Sequence, residues 1–145
     1  MATSVANSEI HRNGHLATAI STMAVGVLRR HTGRGPTRSR TEINDRLISV
    51  FLQDTLTHAE HTLMANGAEE LVMHTRRLFQ EIMRAELVAG VEALTGRTVA
   101  AFFGDDSSAP DMAIESFLLA PPSHRELGGR PGSADAWRAL GTRRP

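Results

Sequence analysis

Residues 33 to 57, GRGPTRSRTEINDRLISVFLQDTLT, restrict the fold more than any other stretch, because a helix stop, a strand pair and a helix start follow one another without slack. Gly33 ends a helical pattern and suits the left-handed conformation that closes a helix, while Gly35 and Pro36 keep the helix from resuming. Thr41 and Ile43 then alternate, Asn44 and Asp45 supply turn residues, and Leu47 to Leu52 form an apolar, β-branched run. This pattern predicts a hairpin. Ile48, Val50 and Leu52 share one face, with Leu47, Ser49 and Phe51 on the other. Thr57 and Glu60 make a T-x-x-E capping box that starts the next helix.

Arg34, Arg38 and Arg40 crowd the turn, and Arg29 and Arg30 fall in the preceding last helical turn, where positive charge also suits the helix dipole. Two readings stay open. Arginines beside the backbone N–H groups of a glycine turn can hold phosphate or carboxylate, or they can pair with nearby carboxylates on a solvated loop.

The string GRGPTRSRTEINDRLISVFLQDTLTHAEHTL resembles the MpsC-like family, named for a sodium-translocating, membrane-potential-generating system. The strings RRLFQEIMRAEL and LTGRTVAAFFGDDSSAPDMAIESFLL resemble the rest of the family pattern, so the likeness spans roughly residues 10 to 120. One departure is that Arg84 is followed by Ala85 where the family pattern has proline. The resemblance implies an accessory domain that docks to a membrane ion-transport complex and carries no chemistry of its own.

Around this centre, apolar residues at Ile10, Ala17, Ile20, Ala24, Val27 and Leu28 predict an amphipathic helix from Ser8 to about Thr32. A second helix is expected from about His58 to Ala65, ended by Asn66-Gly67. A third runs from about Ala68 to Leu94, with a core stripe of Leu71, Val72, Leu78, Phe79, Ile82, Met83, Leu87, Val91 and Leu94, and Gly96 as its stop. On its flank, Arg77, Glu81 and Arg84 have the spacing of an ion-pair set, with an anion-facing role for the two arginines, shared with the loop, as the other reading. Thr98 to Phe103 and Met112 to Leu119 read as a second hairpin, joined by an acidic polar loop with Asp105, Asp106 and Asp111 at a mobile tip. The expected fold is α+β: two β-hairpins forming a four-stranded antiparallel sheet with three helices on one face. Residues 8–120 make the single domain, 1–7 a disordered N-terminus and 121–145 a disordered tail rich in proline, glycine and arginine.

Composition excludes several chemistries. Lysine, cysteine and tyrosine are absent, which removes Schiff-base chemistry, a phosphate-loop lysine, disulfides and thiolate nucleophiles. His11 with His15, and His58 with His61, lack a complete ligand set, so neither a metal nor another cofactor is expected. Glu42 or Asp45 beside the arginines offers a base, but no nucleophile, base and orienter stand at a recognisable spacing. The net charge of zero hides an uneven distribution: residues 1 to 53 carry seven arginines against three acids, residues 54 to 120 four against eleven. An acidic body with one basic patch argues against nucleic acid. No apolar run approaches the roughly 20 residues of a membrane span. The expectation is a cytoplasmic protein, soluble or peripheral to the inner face of the membrane. It has the arginine turn and its neighbours (Arg34, Gly35, Pro36, Arg38, Arg40 and Arg84) as the surface for an acidic protein partner or a small anionic ligand. Apolar positions left over at Phe51 and Phe103 suggest a homodimer.

Overall fold

The computed structural model describes residues 2–123, in the order α1 (Ala2–Thr32), β1 (Arg38–Asn44), β2 (Leu47–Gln53), α2 (His58–Ala65), α3 (Glu69–Thr95), β3 (Val99–Ser108) and β4 (Asp111–Leu119). Most of the segment 121–145 lies outside the described residues. The four strands form one antiparallel sheet in the order β1-β2-β4-β3. Each half of the molecule is therefore a helix followed by a hairpin. The second strand of each hairpin pairs at the centre, Ser49 opposite Ser116.

The predicted local signals produce these elements. Gly33 adopts φ +80° and its N–H reaches the Arg29 carbonyl oxygen at 2.9 Å, ending α1; Gly96 does the same for α3 with φ +67° and a 2.8 Å bond to Glu92. At α2 the capping box is complete: the Glu60 N–H donates to Thr57 Oγ1 (3.2 Å) and the Thr57 N–H donates to Glu60 Oε2 (2.7 Å). α3 passes Arg84 and Ala85 without a break. α1 begins at Ala2, ahead of the Ser8 cap read from the sequence.

The sheet buries one face under the helices. Ile48, Val50 and Leu52 of β2 and Ala113, Phe117 and Leu119 of β4 meet Ile20, Ala24, Val27 and Leu28 of α1 and Met83, Leu87 and Val91 of α3. Phe102 and Phe117 stack at a tilt with ring centroids 5.2 Å apart. The helices approach closely at Gly90, where a Cβ would lie 2.5 Å from Met23 Sδ.

Two expectations need correction. The acidic stretch after Phe103 is a strand as far as Ser108, closed by a two-residue turn at Ala109-Pro110, and Asp106 and Asp111 bond inward to Arg76 and to Thr55 and Leu56. The composition of this stretch is polar, but its alternation continues and buried partners donate to its inward carboxylates. The α3 stripe is narrower than its apolar positions imply: Leu71, Leu78, Ile82 and Leu94 are exposed, and Arg76 takes a buried place.

Candidate functional site

Two polar constellations compete for the role of site, one inside the molecule and one on its surface. The inner one is centred on Arg76, which α3 carries one turn after Val72 on its buried face and leaves only 6% exposed. A guanidinium there must be paired, because an isolated buried charge costs several kcal/mol. Its Nη2 donates to Asp106 Oδ1 (2.8 Å) and to Thr55 Oγ1 (2.6 Å), its Nε to Asp106 Oδ1 (3.1 Å), and its Nη1 to Glu60 Oε2 (3.2 Å). Burial works against the charge, but the carboxylates of Asp106 and Glu60 outweigh it and raise the Arg76 pKa further. Thr55 passes the network on to Asp111, donating from its N–H (2.9 Å) and hydroxyl (3.0 Å) to Oδ1. Glu60 thus caps α2 while it pairs with α3, and Asp106 and Asp111 join β3 and β4 to them.

Beside this network lies Glu115, 4% exposed, on the inward face of β4. Gln80 Nε2 donates to its two oxygens at 3.3 and 3.4 Å. Burial pushes the Glu115 carboxyl up to about 8, with the Asp106 carboxylate adding to the rise and the Gln80 bond and the Arg76 charge opposing it. Gly104 makes room for the pair, since a Cβ there would run into both the Gln80 amide and the Glu115 carboxylate. Among the described residues every buried side-chain nitrogen and oxygen has a partner. The cavity between Arg76, Gln80, Asp106 and Glu115 measures about 20 Å³, room for one water-sized sphere and nothing larger. Size therefore makes this cluster a structural latch, not a ligand site.

The outer constellation is the other face of the sheet. Ser21 bonds Thr41 from the helix side (2.7 Å), so Arg38, Arg40 and Glu42 of β1 project away from the helices. Beside them on that face stand Leu47, Phe51 and Gln53 of β2, Met112, Ile114 and Leu118 of β4, and Phe103 and Asp105 of β3. No element of the described chain covers them: Phe103 is 63% exposed, Leu47 43% and Ile114 38%. Arg38, Arg40, Phe51, Gln53 and Met112 line an open hollow of about 670 Å³.

The sequence-predicted residues divide between places. Arg38 and Arg40 come together at this hollow, with Arg40 Nη2 2.7 Å from Glu42 Oε1. Arg34 turns inward and donates to the Leu56 carbonyl oxygen, fixing the turn to the start of α2. Gly35 leaves the space that the Arg29 guanidinium occupies, 2.9 Å from where a Cβ would be. Arg84 does not line this hollow; its guanidinium carbon lies 5.6 Å from the Phe102 ring centroid, a cation–π contact in place of an ion pair with Glu81. Of the histidines, His31 joins Arg30 on Glu86 (2.8 and 2.7 Å), tying the end of α1 to α3 and lowering the Glu86 pKa. Among the described residues no three histidine, aspartate or glutamate side chains are grouped as a metal site. No helix there is long and apolar enough to cross a membrane. Sequence reasoning missed Arg76, Gln80 and Glu115. The available signal was positional: each is a polar residue standing in an apolar repeat, Arg76 and Gln80 in that of α3 and Glu115 in the alternation of β4.

No curated protein and no solved structure matches the chain. A family model described as Na+-translocating membrane potential-generating system (MpsC) matches residues 12–121, which takes in all four strands, α2, α3 and most of α1. With that match extending over most of its length, the chain belongs to the MpsC family.

Proposed function

We propose that this protein is a non-catalytic docking component of a sodium-translocating, membrane-potential-generating system, held on the cytoplasmic side of the membrane by protein contacts. The observation that carries this reading is the bare apolar face of the sheet, with Leu47, Phe103 and Ile114 uncovered beside Arg38 and Arg40. Contiguous exposed apolar surface rimmed by charge is characteristic of interaction sites. The inner polar groups support the same reading, since Arg76 pairs with Asp106 and Glu60, Thr55 donates to Asp111, and the cluster leaves little space for a substrate. Arg34, Gly35 and Pro36 serve by holding the turn that launches Arg38 and Arg40 along β1.

The test is purification of the tagged chain from mild-detergent extracts of its own cells, followed by identification of the membrane subunits that accompany it. Ion-translocating membrane subunits should copurify with the wild-type chain and be largely lost with Phe103→Asp, whose exposed position leaves the fold of the single chain intact by circular-dichroism spectrum. Absence of such subunits from the wild-type preparation, or their undiminished recovery with the variant, would sink the proposal.

The hollow lined by Arg38 and Arg40 favours one further reading, a small anionic ligand gripped by two guanidinium forks. Calorimetric titration with pyrophosphate should give a saturable, salt-sensitive isotherm that Arg38→Ala abolishes; a flat titration eliminates it.

A further inference from the structure

We propose that the open face of the sheet is occupied by a second copy of this chain, packed face to face so that β1 of each copy lies over β3 of the other. This rests on the reading that the face serves docking, and it puts a second copy there, the membrane subunits then binding the dimer that the face forms.

The strand register carries the argument. Arg40 stands opposite Phe51, Phe51 opposite Ile114, and Ile114 opposite Asp105, so these four residues form one straight row across the sheet, all on the uncovered side. The row reads positive, apolar, apolar, negative. A two-fold axis lying between two such faces and running along the strands keeps each row at its own level and reverses it end to end. Arg40 of one copy then meets Asp105 of the other, twice, and Phe51 meets Ile114, twice. This is the self-complementarity that a closed dimer requires. Packed sheets lie about 10 Å apart. A long arginine facing a short aspartate spans that gap where two long or two short side chains do not. In the single chain Arg40 bonds Glu42, but both are at least half exposed and such pairs contribute little, so losing that bond costs little by itself.

The neighbouring rows are compatible with the same arrangement. Ser49 and Ser116, 3.4 Å apart at the centre, put small side chains on the two-fold, Glu42 of each copy comes opposite Phe103 of the other at the ends of that row, and Leu47 of each copy meets Leu118 of the other one level further along. Face-to-face packing also removes from water the surface that makes the isolated sheet a liability, with Phe103 the most exposed ring.

Charge exchange followed by sedimentation velocity over a wide concentration range tests the arrangement. The wild-type chain should dimerise. Arg40→Glu and Asp105→Arg should each weaken the dimer by roughly tenfold or more, since each places like charges opposite one another at two points. Mixed in equal amounts, the two variants should form a heterodimer, because both contacts are then again between opposite charges; the double variant should dimerise by itself for the same reason. Both positions are exposed in the single chain, so far-ultraviolet circular-dichroism spectra should overlay the wild type. A dimer that tolerates Asp105→Arg, or variants that fail to complement when mixed, would overturn the arrangement. A wild-type chain that stays monomeric overturns it too. If Phe103→Asp still strips the membrane subunits from that monomer, the docking reading survives with a different occupant; if it does not, both fall together.

Discussion

Arg76 ties α3 to three other parts of the molecule, touching α2 through Glu60, the loop before it through Thr55 and β3 through Asp106. Replacing it with methionine keeps most of the volume but leaves Asp106 unpaired among buried neighbours. The expected loss is about 3–5 kcal/mol, the range for breaking one side of a buried pair, measured as a lower urea midpoint with unchanged slope. Glu115 works in the opposite sense. Its folded pKa of about 8 stands above the ordinary carboxyl value of 4.5, so the folded chain keeps a proton that the unfolded chain has given up. Stability from this residue is therefore intact below about 4.5 and falls as the pH rises to about 8. Glu115→Gln should remove that slope and stabilise the protein at pH 8 by on the order of a few kcal/mol, with little change at pH 4.5; urea titrations at the two pH values decide it. A wild-type chain whose stability is flat across this window would show that Glu115 is ionised in place. Neither residue was legible in the sequence, because a charge on an apolar stripe is assigned to solvent unless its partner is known. Here the partners come from elements 30 or more positions away for Asp106 with Arg76 and Gln80 with Glu115.

The elements themselves were legible wherever their ends carry local chemistry. Gly33, the Thr57–Glu60 box and Gly96 each fix a boundary by a bond formed within one turn of the chain, so the residues alone announce them. The first hairpin follows from its alternating side chains in the same way. β3 was read too short because Gly104, Asp105, Asp106 and two serines look like a loop, and strand propensity is overridden there by the tertiary pairing of Asp106 with Arg76. Gly104 belongs to that override. Its missing side chain admits the Gln80–Glu115 bond against the strand, so Gly104→Ala should push the pair apart and cost about 1–3 kcal/mol, despite alanine's better fit to an extended backbone. Thermal melts are the measurement, and a neutral or stabilising result would mean that Gln80 swings aside freely. The width of the apolar stripe on α3 was also overread, because periodicity marks a face and cannot say how much of that face another element reaches: Leu78 and Ile82 repeat correctly and remain in solvent.

At the scale of the molecule, two helix–hairpin halves share one sheet and one core, joined at β2 and β4. The α+β class and the single layer of helices were legible from element order. The strand order was not, since nothing local states that the second strand of each hairpin is the inner one. That order has a consequence for how the protein is made. β2 is an inner strand only after β4 exists, and the chain between them, including α2 and α3, takes on the order of several seconds to emerge from a ribosome. Until then LISVFLQ, an uncharged strand of high β-propensity, has a naked hydrogen-bonding edge on the nascent polypeptide. The chain has no covalent means of guarding it. Beside it runs β1, paired to the opposite edge, where Arg38 and Arg40 set positive charge next to the uncharged run, and charges flanking such a run disfavour its pairing with a second unfinished chain.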